Sequence, residues 1–220
     1  MRLSGEKPAL TPLELNQKLT SLELDKGIES KVSDPLVEVT SYQKLIGKLL
    51  YLTVTRPDIS YALQTLSPFM QTPKKSHMDA TICIVRYLKH APGMGVIMRR
   101  RPANALVGFC DSDWAACPIS RISVSGYLIK FGDSLISCKS KKQHTVSRSS
   151  AEAKYKSMAF AVDKIVWLRG LFAELGSPIH QPVIMFSNSK AAMQITVNPI
   201  FHEHTKHIEI DCYFIWEKLK

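Results

Sequence analysis

The sequence predicts an α/β protein: a mixed sheet with flanking helices, preceded by a small helical segment. Three observations point there. Apolar residues recur at helical spacing between about residues 41 and 91, as expected of helices that each bury one face. After Gly95 the pattern gives way to short runs rich in β-branched and aromatic residues, which suit a pleated surface. A long helical pattern then runs from Ser150 to Leu175, and a short apolar run, Pro182-Val-Ile-Met-Phe186, follows it.

Residues 1–40 show no sustained period, and Pro8, Pro12 and Pro35 interrupt any helix; we expect an irregular lead-in. Residues 41–94 read as a helical segment of three helices. The first has Tyr42, Leu45, Ile46, Leu49 and Leu50 on one stripe. The second begins at Pro57, a favoured first-turn position, and carries Ile59, Ala62, Leu63, Leu66 and Phe69. The third spans about residues 76–90, with Ile82, Val85 and Leu88 inward. Residues 95–220 read as the α/β part. Strands are expected at residues 95–98, 105–110, 123–131 and 134–138, with Gly132-Asp133 as a hairpin turn. Ser149 is a good N-cap for the long helix, and Glu152 three residues later makes a capping box. Val162, Ile165, Val166, Leu168, Phe172 and Leu175 form its apolar stripe, and Gly176 with Pro178 ends it. Residues 182–186 suit a buried strand. A short helix over residues 189–197 and a last one over about 206–218 complete the order.

At 220 residues the chain can bury a real core, and its 45% hydrophobic content argues against global disorder. No apolar run approaches the ~20 residues of a membrane span, and the N-terminus lacks the apolar core of a signal peptide. The five cysteines contain no Cys-x-x-Cys pair, so free thiols in a reducing compartment are expected. An intracellular location, cytoplasmic or nuclear and not secreted, follows as an expectation. The formal charge of +10 favours polyanionic partners; a basic protein without such a ligand is the plainer alternative.

Seven motifs occur in order: Gly47-Lys-Leu-Leu-Tyr-Leu-Thr53, Thr55-Arg-Pro-Asp-Ile-Ser-Tyr61, Arg86-Tyr-Leu-Lys89, Cys110-Asp-Ser-Asp-Trp-Ala115, Ser137-Cys-Lys-Ser-Lys-Lys-Gln143, Ser147-Arg-Ser-Ser-Ala-Glu-Ala-Lys-Tyr155 and Thr205-Lys-His-Ile-Glu-Ile-Asp211. Together they resemble the Pol polyproteins of copia-type LTR retrotransposons, from about Thr11 to the end. The resemblance implies the connection region of the reverse transcriptase followed by a ribonuclease H-like domain. It implies RNA:DNA hybrid as partner, the reverse transcriptase palm in the full polyprotein and no membrane. The sequence contains no Asp-Asp dipeptide, so no polymerase activity is expected of these residues. In Thr55-Arg-Pro-Asp58 a helix cap with a surface ion pair is favoured over a substrate contact.

The family cleaves RNA in hybrids with two Mg²⁺ ions held by four carboxylates, since hard cations require oxygen ligands. Asp111 matches the first, the metal-binding aspartate at the end of the first strand. Lys154 stands where the second acid, a glutamate, belongs, and Asn188 replaces the third, an aspartate. The fourth is expected from a segment beyond Lys220, together with the domain's last strand and helix. Asp111 is therefore the one expected catalytic and metal ligand, and productive Mg²⁺ binding is expected to be lost. Lys139, Lys141, Lys142, Arg148, Lys206 and His207 are the expected nucleic-acid contacts. His202-Glu-His-Thr-Lys-His207 has Lys206 where a His-Glu-x-x-His zinc helix needs histidine; the family's similar His-Glu-Arg-Thr-Lys-His favours a loop near substrate over an adventitious Zn²⁺ site.

The expected protein is thus a Pol fragment without nuclease activity. One alternative is a domesticated module that binds hybrid or other nucleic acid. Another is an active metal-dependent nuclease with a rearranged site, using Asp111, Asp113 and Glu152 or a second chain.

Overall fold

A computed structural model describes residues 7–14, 19–28, 34–100, 105–197, 214, 215, 217 and 218. The chain divides into two compact units, Met1–Val96 with Cys117–Ile119, and Ile97–Ala116 with Ser120–Lys220.

The first unit is helical: α1 Leu22–Ile28, α2 Val39–Leu52, α3 Ser60–Leu66 and α4 Lys75–His90, with 3₁₀ turns at Pro57–Ile59 and Ser67–Phe69. Glu38 caps α2 by accepting the Thr40 and Ser41 amides at 2.9 and 2.7 Å. Tyr42, Ile46 and Leu49 face a core shared with Ile59, Ala62, Leu63, Leu66, Phe69, Ala80 and Ile84, while Leu50 turns outward. The stripe of α4 differs from the expected one. His77, Ala80, Thr81 and Ile84 are buried, and Val85 and Leu88 only flank them. The shift follows polar chemistry that periodicity does not register: His77 has found a ring to stack on and a partner for each nitrogen.

α1 lies in the stretch expected to be irregular. Ser21 accepts the Leu24 amide at 3.3 Å, and Lys74, 2% exposed, pairs with Asp25 and with Asp34 at 3.5 Å. These long-range pairs hold a segment with no hydrophobic period of its own. Arg56 is 5% exposed, not a surface residue. Its Nη2 meets Asp58 at 2.8 Å and its Nη1 donates to the Ala91 carbonyl at 2.9 Å. The Thr55-Arg-Pro-Asp58 motif therefore has an internal structural role.

The second unit is a four-stranded mixed sheet with flanking helices: β1 Leu106–Asp113, β2 Val124–Phe131, β3 Ser134–Lys142, α5 Ser150–Glu174, β4 Ile184–Ser187 and α6 Lys190–Val197. The strand order is β3-β2-β1-β4. β1–β2 and β2–β3 are antiparallel, whereas β4 runs parallel to β1 with Cys110 opposite Ser187. Gly132, at φ 56°, makes the two-residue turn between β2 and β3. Phe214, Ile215, Glu217 and Lys218 are helical; the rest of the last expected helix lies outside the described residues.

Three expectations change here. Residues 95–98 form no strand: the Val96 amide bonds the Thr55 carbonyl instead, and Ile97 and Met98 are exposed. β4 is not buried, because among the described residues it pairs only with β1, leaving Ile184 and Phe186 about half exposed. α5 is buried on more than one stripe: Ala153, Tyr155, Ser157, Met158, Ala159 and Ala161 are buried through its first half, whereas Val166 and Leu175 are exposed. Small residues let this helix lie close to the sheet, and Gly108 on β1 meets it where a Cβ would fall 3.1 Å from Ile165.

Candidate functional site

Asp111, Lys154 and Asn188 are far apart in sequence, and β1, α5 and the turn after β4 bring them together. The Lys154 ammonium lies 3.3 Å from Asp111 Oδ1 and donates to Asn188 Oδ1 at 2.6 Å. Asn188 Nδ2 donates to Asp111 Oδ2 at 3.3 Å, closing a ring of three side chains. The Ser112 amide adds a 2.8 Å bond to Asp111 Oδ1. Lys154 is 19% exposed and Asp111 61%, so the cluster opens to solvent.

Below the ring, the backbone around Asp111 is tied to α5. Ser157 Oγ donates to the Asp111 carbonyl at 2.6 Å and lies 3.1 Å from Gly126 O. Gln143 Nε2 donates to Ser125 Oγ and the Ala153 carbonyl at 2.8 and 2.9 Å, and its Oε1 accepts from Ser147 at 2.8 Å. Trp114 Nε1 reaches the Ser147 carbonyl at 3.0 Å. Neither Ser157 nor Gln143 was identified from sequence. The one signal for Ser157 was a serine inside a helix at a position turned toward the sheet, where an unpaired hydroxyl would be costly.

Glu152 faces other work. Ser149 accepts its amide at 3.1 Å, as an N-cap does. Its Oε2 takes the Arg148 amide at 2.7 Å, one residue before the position a capping box predicts, and Oε1 meets Lys156 at 2.8 Å. Buried at 4% exposure and engaged at both oxygens, it does not stand in for the acid missing at Lys154. Asp113 shares the exposed face of β1 with Asp111. Cys110 is packed against Met185 and Phe186, and burial pushes its thiol up to about 11.

As a cation site this donor set is poor. It offers one carboxylate and one amide oxygen, both already facing an ammonium, and its formal charge sums to zero. Among the described residues no three His, Cys, Asp or Glu side chains converge. At about 4 Å and an effective dielectric of ~20, each pair of unit charges repels by roughly 4 kcal/mol. A divalent ion would be repelled by Lys154 about twice as strongly and attracted by Asp111 by about as much, so these three side chains supply no net attraction for Mg²⁺.

The expected basic contacts on β3 lie elsewhere on the unit. Lys139, Lys141 and Lys142 are on β3, two strand spacings or ~10 Å from β1. Lys139 Nζ sits 5.8 Å above the Phe160 ring, and Arg148 is exposed in the turn before α5. Lys141, Lys142, His144 and Lys156 border a groove of about 520 Å³ floored by Ala159 and Phe160. Lys206, His207 and residues 202–205 lie outside the described residues. Among the described residues Cys83, Cys110, Cys117 and Cys138 form no disulfide, and no helix is long and apolar enough to cross a membrane.

Comparison with known proteins gives the lineage. Over 209 residues the chain is 38% identical to the retrovirus-related Pol polyprotein from transposon RE1 of Arabidopsis thaliana, covering 95% of this chain and 14% of that protein. The corresponding RE2 protein is 37% identical over the same shares. The Pol polyprotein from transposon TNT 1-94 of Nicotiana tabacum is 32% identical over 217 residues, 98% of this chain and 16% of its own length.

The chain belongs to the Pol polyproteins of copia-type retrotransposons.

It spans about one seventh of the length of these relatives. No family model matches it, and no solved structure does. The site of this Pol segment is thus defined by its own geometry, three side chains held in one ring.

Proposed function

We propose that this Pol segment is a connection region followed by a ribonuclease H-like domain that binds nucleic acid and does not hydrolyse it. One observation supports the second half above others: the Lys154 ammonium occupies the space between Asp111 and Asn188, against two oxygens that a hard cation would need. In the family that the chain belongs to, this is where the resemblance puts a metal pair and three of its acids. Here the same three positions sum to zero charge, so the pocket neither attracts nor balances two divalent ions. The β-meander, long helix and parallel strand that carry the three residues support the ribonuclease H-like reading. The basic β3 lysines, with the chain's +10 charge, support binding of a polyanion such as RNA:DNA hybrid.

The test is direct. A labelled RNA:DNA hybrid incubated with the protein in Mg²⁺ or Mn²⁺ should show no cleavage of its RNA strand. A metal-dependent rate that disappears in Asp111→Asn would overturn the reading.

A further inference from the structure

We propose that the Lys154 ammonium is a resident cation that seats a nucleic-acid backbone phosphate without a metal ion. The inference rests on the reading of this chain as a nucleic-acid binder and names a contact within it. A lysine on a solvated helix samples many rotamers, and holding it in one is opposed by entropy. Lys154 is held by two acceptors from two other elements, Asn188 Oδ1 at 2.6 Å and Asp111 Oδ1 at 3.3 Å. The Asn188–Asp111 bond at 3.3 Å in turn fixes those acceptors to each other.

An ammonium has three N–H donors; Asn188 Oδ1 accepts one and Asp111 faces the group as an ion pair, which leaves a donor for an incoming oxyanion. Lys154 keeps 19% of its side chain exposed beside Asp111 at 61%, so the ammonium is reached from the Asp111 side. Its charge is the second part of the argument. Asp111 at minus one, Lys154 at plus one and Asn188 at zero leave no net barrier to a phosphate. Three acids in the same ring would repel it until a metal neutralised them. Lys156, two residues along α5, does not compete for this role: its ammonium is turned to Glu152 at 2.8 Å and Thr145 at 2.9 Å. One cation, placed by the fold and already paired with a single carboxylate, gives a phosphodiester the contact that a divalent ion would otherwise supply.

The experiment measures the affinity of the full chain for a fluorescent RNA:DNA hybrid, by anisotropy, in EDTA and in Mg²⁺, across a salt series. Wild-type affinity should be the same with and without the metal at equal ionic strength. Lys154→Met should weaken binding by about threefold, as for one partly exposed charge contact, and lower the log–log salt slope by about 0.9. Asp111→Asn keeps an acceptor for Lys154 but removes the neutralising charge, so it should tighten binding by a similar factor. Opposite signs from two changes 3.3 Å apart exclude a simple folding defect, which would weaken both. Unchanged affinity and slope in Lys154→Met, or wild-type affinity that collapses in EDTA, would overturn the proposal. If Lys141→Ala with Lys142→Ala weakens binding while Lys154→Met does not, this contact alone falls. If the wild-type chain has no salt-dependent affinity for hybrid, the functional reading falls with it.

Discussion

His77 shows how much one residue can decide in the helical unit. Its ring is fully buried and stacks on Phe69 at 3.8 Å. Nδ1 accepts the Lys74 amide at 3.1 Å, which puts the proton on Nε2, 3.1 Å from the Thr20 carbonyl. Burial first, and the Lys74 ammonium second, push its pKa down to about 4 from 6.5; the Thr20 hydrogen bond, then Asp34 and Asp25, pull the other way and do not offset them. The unfolded chain therefore takes up this proton near pH 6.5, while the folded chain refuses it until about 4. Stability from this residue is full above pH 6.5 and drains as the pH falls toward 4. Urea midpoints should drop through that window, and in His77→Gln the drop should be smaller. An identical pH slope in the variant would assign the effect to other groups. Below this window the carboxylates take over. Asp25 is held below its usual value chiefly by the Lys74 hydrogen bond; at Asp34 burial is the largest single effect and raises the pKa, but the Ser76 hydrogen bonds and Lys74 together outweigh it.

At the scale of elements, the organising piece is α5, whose first half carries Lys154 and packs Ala153, Ser157 and Ala161 inward. Its start is fixed by Ser149, so Ser149→Ala should destabilise the unit by about 1 kcal/mol, read from chemical denaturation. Its height above the sheet is set by Gly108, where an added Cβ would meet Ile165 Cδ1 at 3.1 Å. Gly108→Val should therefore cost about 1–3 kcal/mol, and the second-site change Ile165→Val should recover part of it. A neutral Gly108→Val would mean that α5 shifts freely, and the ring at Lys154 would then be less well held than its distances indicate. β4 brings Asn188 into that ring through only four residues, pairing Ile184 through Ser187 with β1. The Phe109–Phe186 stack, at 5.1 Å, reinforces that pairing on the exposed face.

For the whole molecule the relevant quantity is charge. At +10, association with a polyanion should be sequence-independent and steeply salt-dependent, because each neutralised phosphate releases counterions. Lys141→Ala with Lys142→Ala should weaken binding to all sequences alike and reduce the salt slope by about one for each phosphate no longer neutralised. Affinity unaltered by salt, or by that double change, would make the β3 lysines a solvated edge and nothing more. The distance between β3 and β1 adds a geometric expectation. A ligand that uses both these lysines and Lys154 must cross two strand spacings, ~10 Å, which suits an extended backbone and not an isolated phosphate.

Local chemistry was legible where it declared itself locally. The helical period of residues 41–91, the Ser149 cap, the Gly132 turn and the apolar β1 and β2 all depend on neighbours a few residues away. Sequence shows their pattern directly, and the motifs around Asp111, Lys154 and Asn188 marked the three positions before any fold was known. Tertiary structure alone decided what depends on distant partners. It closed those three residues into a ring, turned Glu152 onto Arg148 and Lys156, and bonded Val96, within the strand expected at residues 95–98, to Thr55 instead of to the sheet. It left β4 half exposed and buried Arg56, Lys74 and His77, residues whose polarity argues for the surface until a partner is found. Periodicity reports which face of an element is apolar. Which charge meets which across more than 30 residues, as Lys154 meets both Asn188 and Asp111, is settled only when packing brings the backbones together.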